Sequence, residues 1–234
     1  MKNRVLIIGG SSGMGLALAE RLLSDGADVT VAGRSAERLS TVAARLPRVR
    51  TAQADISDED AVRRLFTETG QLDHVVVTAA DAVGAYKPVA AYDVATAKAI
   101  VGTKLLGPWL VGKHADLAPG GSITFTSGIA AYRPMPGSSV FAAVNGALEA
   151  LVRALAVELA PLRVNAVSPG WIDTPIWDDL VGDGKAERLA TMAQRLPVNR
   201  IGTVDDVSEA FVTLLRNGFI TGTVVHVDGG HRLV

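Results

Sequence analysis

Val5-Leu6-Ile7-Ile8-Gly9-Gly10-Ser11-Ser12-Gly13-Met14-Gly15 is an apolar run too short for a buried helix, closed by glycines and followed by a helical pattern. It reads as strand, turn, helix. Gly9, Gly13 and Gly15 let the backbone turn sharply and approach a diphosphate with no Cβ in the way. The amides that open the next helix offer donors and a positive dipole end to an anion. Ser11, Ser12 and Met14 complete the turn. The spacing is G-x-x-x-G-x-G, and the βαβ pattern around it, more than the glycines alone, makes a dinucleotide the expected ligand.

Downstream, Leu16, Ala19, Leu22 and Leu23 recur at helical spacing, and Gly26 ends that helix before a strand over 28–32. The strand runs into Gly33-Arg34-Ser35. No acid stands there to hold a ribose hydroxyl pair, and the Arg34 guanidinium suits a 2′-phosphate, which favours NADP(H) over NAD; the other reading of Arg34 is a solvated residue opening a helix. A helix over 36–46 leads to a third strand ending at Ala54-Asp55, and Ser57 with Asp60 suits the cap of a helix through Phe66. Asp55 either accepts from an adenine amino group or caps the following turn. The run 73–80 reads as a buried strand in which His74 satisfies a strand edge, and its small terminal residues, Ala79 among them, admit a flat ring.

The segment 94–115 is amphipathic and carries Lys104, and 121–127 reads as a fifth strand ending in Thr126-Ser127. Ligands of open parallel sheets bind outside the carboxyl ends of the strands, so Ser127 lies where a substrate belongs. The longest helical pattern, 138–160, turns Leu148, Leu151, Leu155 and Leu159 inward, with Glu149, Arg153 and Glu158 dispersed along it. A sixth strand over 163–167 exits through Ser168-Pro169-Gly170. Residues 171–203, with Trp171, Trp177 and a short helix, have the composition of a mobile substrate lid and not of a sheet element. A helix over 205–215 and a strand over 224–227 close the chain.

These elements predict an α/β fold with a doubly wound parallel sheet and helices on both faces, all 234 residues forming one domain. Hydrophobic residues make up 48% and aromatic residues 5%, so Ala, Val and Leu must build the core. A net charge of −1 offers no basic field for nucleic acid or a membrane surface. The absence of cysteine excludes disulfides and thiolate zinc sites, and the four histidines show no ligand spacing, so no metal is expected. Because the chain enters a core strand by Val5, a cleavable signal has no room, and a cytoplasmic location is the expectation.

The residues quoted so far resemble the short-chain dehydrogenase/reductase family along essentially the whole chain. The likeness rests on Gly9 to Gly15, Gly33-Arg34, Asp55, Ser127, Gly146 to Leu151 with Val157 to Ala160, Arg163 to Gly170, Thr221-Gly222 and Val227 to Gly230. It implies a seven-stranded parallel sheet, a nicotinamide cofactor held in part by Pro169 and Gly170, and a homotetramer or homodimer. The family's Tyr-x-x-x-Lys pair, however, is replaced here by Phe141-Ala142-Ala143-Val144-Asn145. In that pair the lysine cation depresses the phenol pKa and the phenol exchanges the proton that accompanies hydride transfer. Phe141 has no such proton. Asn145 carries no charge, yet it keeps the capacity to donate to a ribose hydroxyl. Lys104 falls where the family usually has an asparagine; it either restores positive charge near Ser127 or is a solvated helix lysine. Tyr132, five residues beyond Ser127, is either a replacement acid or a loop residue packing on the lid.

Three functions are weighed, the last of which, non-redox lyase or isomerase chemistry on the same scaffold, has no support beyond the missing pair. The first is an NADP(H)-dependent oxidoreductase acting on a small carbonyl or alcohol, with Ser127 orienting the oxygen, Asn145 contacting the ribose, and Lys104, Tyr132 or water handling the proton. The alternative is a catalytically silent NADP(H)-binding sensor or structural protein, motivated by the Phe141/Asn145 pair. Loss of a positioned acid lowers rates by about 10²–10⁴-fold without removing hydride chemistry, which ranks the enzyme first.

Overall fold

Seven parallel strands run in the order β3-β2-β1-β4-β5-β6-β7 in a computed structural model that describes residues 3–80 and 86–234, the side chains of 179–181 excepted. The strands are β1 (Arg4–Ile8), β2 (Asp28–Gly33), β3 (Arg50–Gln53), β4 (Leu72–Val77), β5 (Leu117–Thr126), β6 (Arg163–Pro169) and β7 (Val224–Val227). Strand order reverses between β1 and β4, which leaves a crevice at their carboxyl ends.

Both sheet faces are covered, and the alternation within each strand divides the core. Leu6 and Ile8 of β1, with Val75 and Val77 of β4, meet Leu65 and Phe66 of α3 (Glu59–Thr69), Val111 of α5 (Gly107–His114), and Leu148 and Val152 of α6 (Ser139–Glu158). On the other face Val5, Ile7 and Val76 meet Leu18 and Leu22 of α1 (Gly13–Ser24), Leu39 of α2 (Ala36–Arg45), and Phe211 and Leu215 of α9 (Val204–Arg216). This period-2 division is why the strands read as continuous apolar runs. Length and apolar character would also suit α6 to a membrane span, but Leu148, Val152 and Leu155 pack on the sheet.

Local signals set the helix ends. Gly26, at φ +85°, closes α1 with the amide of Ala27 donating to Leu22 O. Thr203 and Asp206 form a reciprocal capping box on α9. The cap of α3 differs from the expected Ser57/Asp60 pair: Asp58 accepts from the amides of Asp60 and Ala61, while Ser57 turns back to Asp55. His74 also differs. It stands in a central strand, 7% exposed, with Nδ1 2.9 Å from Ser122 Oγ of β5, so it satisfies an interior position and not an edge.

Between α4 (Val94–Val101) and α5 the helix continues through a π turn, Gly102–Leu106, which carries Lys104. The stretch expected as a lid holds two helices, α7 (Ile176–Val181) and α8 (Lys185–Ala193). Its ends are tied by a bridge between Ile172 and Gly202.

Candidate active site

At the crevice, the loop after β1 is pressed against the end of β4. A Cβ added to Gly9, which sits at φ +93°, would stand 2.4 Å from the Ala79 amide nitrogen, and one on Gly15 would stand 2.5 Å from both Gly9 O and Thr78 Oγ1. Thr78 Oγ1 donates to Gly9 O at 3.0 Å and locks the two loops together. Glycine is therefore required by contact as well as by dihedral angle. At the start of α1, Ser12 makes no side-chain cap bond and the first turn carries no acid, so its amides are left to an external anion. The pattern fits a diphosphate. Nearby, the ideal Cβ of Gly33 would lie 3.5 Å from Ser11 Oγ, which sets Ser11 against the end of β2, where Arg34 follows with an exposed side chain. Asp55 Oδ1 accepts from both the amide and the hydroxyl of Ser57, the turn-capping alternative.

A cleft of about 160 Å³ extends from this cradle. Met14, Lys104, Ser127, Asn145, Pro169 and Gly170, all singled out from sequence, share its wall. Its remaining surface is mostly apolar. Tyr86 stacks on Phe141, with ring centroids 5.5 Å apart and planes within 5°, and Trp171 stacks on Trp177 at 4.4 Å. Trp177 Nε1 donates to Ile172 O at 2.8 Å, which fixes that pair over the cleft.

Lys104 is 4% exposed, so it is not a solvated helix lysine. Its ammonium donates to Thr126 O at 2.6 Å and reaches Ser127 O at 3.4 Å. Burial lowers its pKa from 10.5 to about 8, which leaves it mostly charged at neutral pH and readily deprotonated above it. The cation thus sits at the end of β5, beside the serine. Asn145 Nδ2 donates to Gly128 O at 3.4 Å, while its buried Oδ1 has no partner among the described residues. Toward a ribose hydroxyl, then, Asn145 offers an open acceptor in Oδ1 beside the second N–H of its amide.

The sequence reading missed Glu149. Placed among the dispersed charges of α6, it is only 6% exposed. Ser127 Oγ donates to its Oε1 at 2.7 Å and the Tyr132 hydroxyl to its Oε2 at 2.5 Å. Tyr132 is absent from the cleft wall, and its ring makes a T-shaped contact with His226, centroids 4.7 Å apart. Burial, followed by the bond to the Glu149 carboxylate, pushes its phenol up to about 12. A direct proton transfer from Tyr132 to a molecule in the cleft has no path in this arrangement. The available signal for Glu149 was its spacing: 141, 145 and 149 are four apart and share one face of α6.

A family model described as enoyl-(acyl carrier protein) reductase matches residues 9–232. The short-chain dehydrogenase/reductase malC of Malbranchea aurantiaca is 33% identical, covering 98% of this chain and 94% of its own. ATR9 of Stachybotrys chlorohalonatus, a short-chain dehydrogenase/reductase, is 36% identical over 97% and 95%. Among solved structures, a small-chain dehydrogenase in complex with NADPH superposes with a TM-score of 0.85 at 34% identity, covering 100% of both chains. The MalC reductase/Diels-Alderase from Malbranchea aurantiaca does so at 0.90 and 34%, covering 100% of this chain and 96% of its own. The chain belongs to the short-chain dehydrogenase/reductase family of oxidoreductases.

Proposed function

We propose that the protein is an NADP(H)-dependent reductase of a small, apolar carbonyl compound, or the dehydrogenase of the corresponding alcohol. The observation that carries this reading is one continuous cleft in which Met14 of the nucleotide turn, Ser127 and Lys104 share a wall with stacked aromatic rings. NADPH, when bound, supplies the hydride. Gly9, Gly13 and Gly15 with the first amides of α1 hold the diphosphate, Arg34 faces the 2′-phosphate, Asp55 borders the adenine, Ala79 leaves room for the rings, and Asn145 Oδ1 accepts from the nicotinamide ribose. Ser127 orients the reacting oxygen. Trp171, Trp177 and the rest of 171–203 act as the lid that excludes water. The printed names of the relatives and the aromatic-walled cleft weigh toward turnover and away from a silent sensor.

We place the enzyme in the cytoplasm as a homodimer or homotetramer, for which exposed Leu106, Trp109 and Val157 supply apolar surface. The deciding experiment is fluorescence titration with NADPH and NADH, followed by NADPH oxidation with a panel of aromatic ketones and aldehydes. Tighter binding of NADPH together with turnover of at least one compound is the expected result. Binding without turnover, or none, overturns it.

A further inference from the structure

Where the family's phenol and lysine would stand, α6 presents Phe141 and Asn145; one turn further along the same face comes Glu149, a carboxylate held behind the cleft wall. Both of its oxygens are engaged, Oε1 by Ser127 and Oε2 by Tyr132. A serine hydroxyl has one proton and two lone pairs. Since Ser127 directs its proton at Glu149, with a further, 3.5 Å approach to Asn145 O, it turns lone pairs to the cleft. As it stands, Ser127 accepts a proton from the reacting group and does not donate one.

We propose that Glu149 is the proton store of the reaction, acting through Ser127, with Tyr132 as its link to solvent. The proposal rests on the reductase reading above. In the alcohol-oxidising direction the substrate C–H bond breaks and its hydride passes to NADP⁺. The O–H proton moves to Ser127 Oγ as the serine's own proton moves to Glu149 Oε1, leaving a C=O product, NADPH and a neutral Glu149. Reduction is the reverse: the carbonyl carbon gains the hydride from NADPH, its oxygen takes the Ser127 proton, and the serine is refilled from protonated Glu149. Tyr132, 43% exposed, connects the far oxygen of the carboxyl to water, through which the store is reloaded. Charged and titratable groups that face this cluster are Arg153 on α6 itself, Arg232 in the tail, and His226 and Asp228 at the end of β7. This route needs neither of the missing family residues.

Two measurements test it. The first needs no substrate: the Glu149 carboxylate is what raises the Tyr132 phenol once burial is set aside. Followed from pH 9 to 12, the tyrosinate transition of Tyr132, taken as wild type minus Y132F and as E149Q minus E149Q/Y132F, should move to lower pH in E149Q. An unmoved transition overturns the coupling. The other is kinetic, on whichever compound of the aromatic carbonyl panel the wild type reduces. Glu149→Gln should lower kcat about 100-fold, with KM and the NADPH dissociation constant within twofold, and Glu149→Asp should restore part of the loss. Tyr132→Phe, an exposed change that does not threaten folding, should lower kcat severalfold. Equal kcat in wild type, E149Q and Y132F overturns the relay alone. A wild type that binds NADPH yet reduces nothing overturns the reductase reading and the relay with it.

Discussion

Lys104 Nζ donates to the backbone oxygen of Thr126 at 2.6 Å, from inside a π turn and with 4% of its surface exposed. Burial lowers its pKa to about 8 from 10.5. Between those two pH values the unfolded chain binds a proton that the folded chain does not, so this residue makes stability rise with pH. Compared with Lys104→Met, the wild type should gain thermal stability as pH rises from about 8 to 10.5. Melting curves recorded across that window for both proteins check it; a constant difference in Tm contradicts it.

His74 acts in the same sense at the acid end. Burial lowers its pKa from 6.5 to about 4, so the folded chain resists the proton that the unfolded chain takes up. Stability should therefore fall as pH drops from 6.5 to 4, by about 3 kcal/mol from this residue. His74→Asn, which keeps a partner for Ser122, should flatten that part of the curve in urea unfolding measured at each pH.

Glycines at the crevice and on a helix surface should respond in opposite senses. Gly15→Ala drives a Cβ to 2.5 Å from Gly9 O and should cost about 1–3 kcal/mol of stability and at least tenfold in NADPH affinity. Gly146 is exposed within α6 and an added Cβ meets nothing within 4 Å, so Gly146→Ala should stabilise by about 0.5–1 kcal/mol. Equilibrium unfolding and coenzyme titration of the two variants provide the comparison.

Arg34 follows β2 with its side chain exposed. Removing a charge-assisted contact to a 2′-phosphate costs about 1.5–3 kcal/mol, so Arg34→Ala should weaken NADPH binding roughly 10–100-fold. NADH binding should hardly change. Parallel titrations with both coenzymes read the ratio directly.

Elements with one dominant signal were visible in the sequence. The glycine turn, the apolar strands and the 3.6-residue pattern of α6 each follow from local sterics or periodicity, and β7 falls where expected, at Val224–Val227. The glycines of the turn after β1 were legible for the same reason, since a tight backbone approach demands glycine whatever the distant structure does. Glu149 was not, because a charge on a helix reads as solvated unless its partners are known, and Ser127 and Tyr132 lie 22 and 17 positions away. Asp58 was passed over as the cap of α3 because Ser57 offers the same chemistry one residue earlier, and only the bond from Ser57 to Asp55 shows that its hydroxyl is engaged. The π turn left no mark at all on the amphipathic pattern of 94–115.

That turn inserts one surplus residue into a helix running from Val94 to His114. Each residue of an α-helix advances about 100° around the axis, so the halves on either side of Gly102–Leu106 are phased independently. Ile100, before the turn, can stay sealed in the interior while Trp109, after it, faces outward. Substitutions that retune the outward half for a neighbouring molecule need not disturb the lysine anchored between them, which separates the evolution of what this enzyme touches from the evolution of what it transforms.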